Sequence, residues 1–116
     1  MPETFRPADR IRRRAEFEHI YDTGTRAHGR LMSVYCAPSQ LGRPRLGITA
    51  SRKIGGAVVR NTAKRRIREV FRKTKHDLPS LDIIVVPRVP LLASPLPDVE
   101  AEYRSLLRRT RRRERS

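Results

Sequence analysis

Residues 82–86 (Asp-Ile-Ile-Val-Val) constrain the fold of this chain most strongly, because four successive positions are apolar rather than alternate ones. A run of this kind is expected of a strand that is buried on both faces of a sheet. The length of 116 residues suits one domain with one core. The sequence therefore predicts a single domain that contains a fully buried strand.

Two further elements precede this strand. A helix is predicted over residues 12–22, with Asp9 as a candidate cap and Gly24 as its stop. Residues 30–37 and 46–51 are rich in strand formers and are separated by a short polar loop. That arrangement predicts an antiparallel hairpin.

A last helix is predicted after residues 87–97, an extended connector that holds four prolines. Asp98 can cap this helix, which carries one apolar stripe: Val99, Tyr103, Leu106 and Leu107. From about residue 109 the chain is a basic tail that is expected to fray. The predicted order is helix, hairpin, helix, strand and helix, which makes a single α+β domain.

The strongest functional signal lies in residues 60–75, which hold eight cations and one acid. Asn61 or Thr62 can cap a helix there that runs to about Lys75. At about 100° per residue, one face is apolar: Ala63, Ile67, Val70, Phe71 and Thr74. The adjoining face is basic: Lys64, Arg65, Arg68, Arg72 and Lys75. The helix is therefore predicted to dock on the sheet and to present a cationic stripe.

The charges of this helix conflict with its dipole if it begins at Asn61. Arg60, Lys64, Arg65 and Arg66 then crowd its N-terminal end, where each exposed cation costs about 0.3–1 kcal/mol. A bound anion would reverse that cost. The chain as a whole carries 27 Lys and Arg against 12 Asp and Glu, a net charge of +15, which also indicates a polyanionic partner. An ordinary solvated charged face is the alternative.

Aromatic residues beside cations suggest a second binding feature. Phe17 and Tyr21 lie four apart on the first helix, one turn after Arg13. Such a pair can stack bases in a single-stranded groove, although the spacing alone favours core packing. Tyr35 is ambiguous in the same way.

The sequence shows no constellation for catalysis by the protein itself. His19, His28 and His76 fall on different elements, and the acids lack the spacing of a metal cage. Cys36 is the only cysteine, so no intramolecular disulfide can form, and a reducing, cytoplasmic compartment is expected. The first five residues lack the apolar stretch of a signal peptide.

One stretch resembles a known family. Residues 51–61, Ser-Arg-Lys-Ile-Gly-Gly-Ala-Val-Val-Arg-Asn, followed by Lys-Arg-Arg-Ile-Arg-Glu at 64–69, closely resemble the protein component of bacterial ribonuclease P. Residues 10–21, the strand at 82–86 and the final basic helix also match that family. The chain departs from it at Thr62, where the family commonly has an arginine-type residue, which puts one RNA contact in doubt.

The resemblance implies a fold and a function. The fold is a four-stranded mixed sheet packed with three helices, similar to domain two of ribosomal protein S5, with a left-handed βαβ crossover. The function is that of the RNA-binding subunit of an endoribonuclease that removes the 5′ leader of precursor tRNA. Catalysis would belong to the RNA subunit and its Mg²⁺ ions, with no metal bound tightly by the protein alone.

The resemblance also implies roles for particular residues, none of them catalytic or metal-binding. The residues expected near the catalytic RNA are Arg60, Asn61, Lys64, Arg65, Arg68 and Arg72. Those expected in the cleft for the precursor-tRNA leader are Phe17, Tyr21, Tyr35, Arg13 and Lys53. A structural RNA-binding protein such as a ribosomal component is the main alternative. An autonomous nuclease and a membrane-surface protein are disfavoured, because the acid–base groups and the tryptophan-containing apolar face that they need are missing.

Overall fold

A four-stranded mixed sheet organises the chain in the computed structural model, which describes residues 7–115. Its strands are β1 (Thr25–His28), β2 (Met32–Pro38), β3 (Arg45–Ile48) and β4 (Leu81–Pro87). Their spatial order is β1-β2-β4-β3. β4 therefore lies inside the sheet, and β1 and β3 form its two edges.

The inner position of β4 follows from its composition. Ile83, Ile84 and Val85 are fully buried, and successive side chains alternate between two separate hydrophobic clusters. β4 pairs antiparallel with β2 and parallel with β3. The predicted strand that is buried on both faces is confirmed.

The predicted hairpin between residues 30–37 and 46–51 is wrong. β2 instead forms its hairpin with β1, in a register that places Thr25 opposite Cys36 and His28 opposite Ser33. β4 separates β2 from β3, because its doubly apolar surface takes the inner position. The sequence did not predict β1, because it is a four-residue edge strand with exposed, polar Arg26 and His28.

Three helices cover the sheet: α1 (Arg14–Thr23), α2 (Ala57–Thr74) and α3 (Leu96–Arg115). α1 packs on one face through a small cluster that includes Ile20 and Ile84. The other face carries the larger core, to which α2 and α3 both contribute. Three helices on a four-stranded mixed sheet confirm the predicted fold class.

The segment β3–α2–β4 joins two adjacent parallel strands through a helix, as a βαβ unit does. The left-handed crossover stays an expectation from the family resemblance. The buried face of α2 is the predicted one: Ala63, Ile67, Val70, Phe71 and Thr74. No helix within residues 7–115 combines the length and apolar character that crossing a bilayer requires.

The C-terminal end differs from prediction. Where a frayed tail was expected from about residue 109, α3 continues to Arg115. Its apolar stripe extends one turn beyond Leu107 to Thr110, which is fully buried and donates a hydrogen bond of 2.8 Å to the Leu107 carbonyl. The outermost parts of the predicted domain, residues 1–6 and 116, lie outside the described residues.

Glu102 ties α3 to the turn between β1 and β2. Its carboxylate accepts hydrogen bonds from three successive backbone N–H groups, those of Arg30 (3.0 Å), Leu31 (2.7 Å) and Met32 (3.0 Å). A Cβ atom at position 29 would stand 2.6 Å from the Glu102 carboxyl carbon, so this close approach requires Gly29. One side chain thus fixes the hairpin to the helix that covers it.

Candidate nucleic-acid interface

A groove runs along the β3 edge of the sheet, between α1 and α2. It consists of two adjoining cavities of about 310 Å³ and 510 Å³. Both are lined by Arg12, Phe17, Ile48 and Lys64, so they form one continuous depression. An aromatic ring on α1 and a cation on α2 therefore face the same space.

Phe17 lies directly over β3. A Cβ atom at position 47 would stand 2.7 Å from Phe17 Cζ and 2.9 Å from Cε1, so only glycine allows this approach. The Phe17 ring is half-buried: it packs against the smaller core cluster and also lines both cavities. The two readings of the sequence, core residue and groove residue, therefore apply together.

Tyr21 continues the aromatic wall one turn further along α1. Its ring meets that of Tyr35 edge to face, with centroids 4.8 Å apart and planes at 86°. A hydrogen bond of 2.8 Å joins Tyr21 Oη to Thr49 Oγ1 and fixes the ring against the end of β3. Tyr21 lines the larger cavity, whereas Tyr35 lies behind it on β2 and lines neither. Tyr21 remains exposed enough to offer an edge or a face to a ligand.

Cations converge at the other end of the groove. Arg10, Arg12, Lys64 and Arg68 all line the smaller cavity. Partial burial, followed by the positive charges of Arg10 and Arg65, lowers the pKa of the Arg68 guanidinium below its ordinary value. Arginine nevertheless stays protonated in proteins, so this place holds like charges that an anion would stabilise.

The positive charges of Lys64 and Arg68 are available to a ligand. Within residues 7–112, neither forms an ion pair with a carboxylate. Other cations of the predicted stripe are bound internally. Arg72 Nε donates to Glu69 at 3.1 Å, and Lys75 Nζ bonds to Asp9 at 3.0 Å. The stripe available to a partner is therefore shorter than the sequence suggested, and Asp9, predicted to cap α1, instead holds Lys75.

The predicted conflict between charge and dipole is largely wrong. α2 begins at Ala57, four residues before Asn61, with Gly56 as its N-cap and an Arg60 N–H that donates to the Gly56 carbonyl at 3.0 Å. Lys64, Arg65 and Arg66 consequently lie in the third turn, beyond the reach of the helix terminus. The like charges around Arg68, and not the helix dipole, indicate that an anion would bind here.

The remaining predicted residues lie at or beyond the rim of the groove. Arg13 precedes α1 as its N-cap, and Lys53 sits exposed in the short 3₁₀ turn Arg52–Ile54; neither lines either of the two cavities of the groove. Asn61 is exposed on α2, and Arg60 is half-buried with no hydrogen-bond partner for Nε among the described residues. Their predicted RNA contacts stay predictions.

Residues 10–12 were missed as part of the groove. The Ile11 N–H donates to the Leu46 carbonyl at 2.9 Å, which lays this segment beside the free edge of β3. Arg12 thereby enters the groove, while the neighbouring Arg13 does not. The run of three arginines at 12–14 does not itself indicate that Arg12 and Arg14 line the groove and that Arg13 does not. Within the described side chains, no three His, Cys, Asp or Glu groups cluster as a metal site.

Comparison with known proteins identifies close relatives. The family model described as Ribonuclease P matches residues 5–111. The Ribonuclease P protein component of Staphylococcus haemolyticus is 43% identical over 83 residues, which span 72% of this chain and 73% of the relative. The solved structure of the Staphylococcus aureus RNase P protein aligns with a TM-score of 0.78 and 35% identity, over 86% of this chain and 93% of that one. The RNase P protein from Thermotoga maritima aligns with a TM-score of 0.77 and 32% identity, over 86% and 96%.

Proposed function

Since this chain belongs to the ribonuclease P protein family, we propose that it is the RNA-binding subunit that holds the precursor-tRNA 5′ leader against the catalytic RNA. The observation that carries the proposal is the groove, in which Phe17 and Tyr21 face Lys64 and Arg68. The resemblance assigned Lys64 and Arg68 to the catalytic RNA, but because both line the groove we propose that they hold the leader instead. The endonucleolytic cut that makes the mature tRNA 5′ end belongs, in this proposal, to the RNA subunit.

The groove suits a single strand of RNA. Base faces are hidden in a duplex, but an unpaired leader can lay a base against an aromatic ring, with stacking worth about 1–3 kcal/mol per base. The cations converging around Arg68 can hold the phosphates of the same strand. Rings and cations on opposite walls bind bases and backbone without reading their sequence, as an enzyme with many different precursors requires.

The exposed surface next to the groove suits the catalytic RNA. Asn61 and Arg65, which the resemblance assigned to the catalytic RNA, are exposed on α2. Contacts of such residues with phosphates release counterions, so assembly should weaken steeply with salt. The groove and this surface share α2, which would hold leader and catalytic RNA side by side.

The chain's own contribution is binding and orientation. We propose that Mg²⁺ is held mainly by RNA. The cations around Arg68 would repel a divalent cation, and they offer it no oxygen ligands. When bound, such an ion would activate the attacking water. Arg12, Lys64 and Arg68 would fix the leader beside that centre. The proposed site of action is the cytoplasm, where precursor tRNA is processed.

Reconstitution tests the proposal. The purified chain is added to a bacterial ribonuclease P RNA, and removal of the 5′ leader is followed at a low Mg²⁺ concentration. We expect the chain to stimulate cleavage that the RNA alone performs poorly. Cleavage by the chain alone would instead indicate an autonomous nuclease. Absence of stimulation, together with sedimentation on ribosomal subunits, would indicate a ribosomal component.

A further inference from the structure

One guanidinium joins three elements beside the groove. Arg45 on β3 donates through Nε and Nη2 to the two oxygens of Asp82 on β4, both at 2.9 Å. Its Nη1 donates to Glu16 Oε2 on α1 at 3.0 Å. The Arg45 side chain is only 12% exposed, and its pKa is raised chiefly by the hydrogen bonds to Asp82. Arg45 therefore stays charged and is held by three hydrogen bonds to two carboxylates.

Glu16 carries this bridge into the first turn of α1. Its Oε1 accepts a hydrogen bond of 3.3 Å from the Arg13 backbone N–H, which caps the helix. Burial is the largest single influence and opposes ionisation of Glu16. The hydrogen bonds from Arg45 and from the Arg13 and Arg12 backbone, with the charge of Arg45, together outweigh it and lower the pKa of the carboxyl. A charged carboxylate thus holds the start of α1 to the sheet.

The bridge lies next to the contact between Phe17 of α1 and Gly47 of β3. Glu16 precedes Phe17, and Arg45 lies two residues before Gly47 on the same face of β3. The Phe17 ring rests on Gly47, as described above. The Arg45–Glu16 bond therefore sets the distance between the helix that carries the ring and the strand that supports it.

We propose that Arg45 and Glu16 are positioning residues, which set the width of the groove and through it the preference for precursor tRNA that bears a leader. This inference rests on the proposed function of the groove. Neither side chain lines the groove, so both act through Phe17 and not by touching RNA. When Glu16 is removed, Arg45 keeps its two bonds to Asp82, so the sheet stays intact while α1 loosens.

The test compares two acidic residues of α1 in the reconstituted holoenzyme. The measured quantity is the affinity for precursor tRNA divided by the affinity for the same tRNA without its leader. We expect Glu16→Ala to lower this ratio about three- to tenfold, which lies within the range for residues coupled in one network. Asp22→Ala removes the same charge from an exposed position and should leave the ratio unchanged. Glu16→Gln, whose amide oxygen can still accept from Arg45, should restore part of it.

A double-mutant cycle separates positioning from a general effect on stability. In a Phe17→Ala background, Glu16→Ala should change the ratio no further, because the ring through which it acts is gone. An equal loss in both backgrounds, or equal losses for both RNAs, would overturn the inference. If Phe17→Ala lowers the ratio and Glu16→Ala does not, only this inference fails. If Phe17→Ala leaves the ratio unchanged, the proposed function of the groove fails as well.

Discussion

The Phe17 ring and Gly47 are in such close contact that a Cβ atom on residue 47 would stand 2.7 Å from Phe17 Cζ. This contact joins the aromatic wall of the groove to the edge strand β3. The position of the ring therefore depends on the backbone of β3 as well as on α1.

Gly47→Ala is expected to push the Phe17 ring out of its place. The added methyl group overpacks a site that is also bounded by Ile11 Cβ at 3.2 Å, so the free energy of unfolding should fall by about 1–3 kcal/mol. Leader affinity should fall with it. Urea unfolding measures the first effect, and binding of precursor tRNA measures the second.

A smaller side chain at position 17 supplies the control for this prediction. Phe17→Leu frees space over residue 47, so the double variant Phe17→Leu, Gly47→Ala should recover part of the lost stability. Unchanged unfolding of Gly47→Ala alone would show that the ring does not rest on residue 47.

Arg68 is expected to contact phosphate, because like charges surround it and no carboxylate within residues 7–112 forms an ion pair with it. Arg68→Ala should weaken binding of precursor tRNA. It should also reduce the slope of log Kd against log salt concentration by about 0.7–0.9, the value for one phosphate contact. Filter binding across a salt series measures this. Lys73→Ala removes a cation from an exposed position on the same helix outside the groove. Equal slopes for the two variants would contradict the phosphate contact.

Glu102 is expected to contribute more to stability than its neighbour Glu100. Glu102→Gln leaves three backbone N–H groups facing an amide that has one oxygen, and should cost about 1–3 kcal/mol. Among the described residues, Glu100 bonds only to the partly exposed Arg104, at 3.1 Å, so Glu100→Gln should cost at most about 0.5 kcal/mol. Denaturant unfolding compares the two. Equal costs would mean that Glu102 does not hold the hairpin turn.

The sequence predicted those features that depend on periodicity alone. The run at residues 82–86 indicated a strand buried on both faces, and the 3.6-residue period identified all five buried residues of α2. The start of α2 was misplaced because Asn61 has a higher capping propensity than Gly56. The structure uses Gly56, and the apolar residues that follow it continue the helix.

Contacts between distant segments could not be predicted in this way. Pairing β2 with β3 looked natural from the short loop between them, but the inner position of β4 depends on the whole sheet. The groove likewise depends on the Ile11–Leu46 hydrogen bond and on the absence of a side chain at Gly47. Neither feature leaves a periodic signal, so Arg12 was missed. Lys64 was found from the basic face of its helix, and Phe17 from its place beside Arg13 together with the family resemblance.

The most direct measurement of the central claim is the affinity of the catalytic RNA, with and without this chain, for precursor tRNA and for the same tRNA lacking its leader. If the groove holds the leader, the chain should raise the ratio of these affinities about five- to a hundredfold, the range for stacking of one base. Phe17→Ala should remove most of that gain. The same ratio with and without the chain would contradict the account.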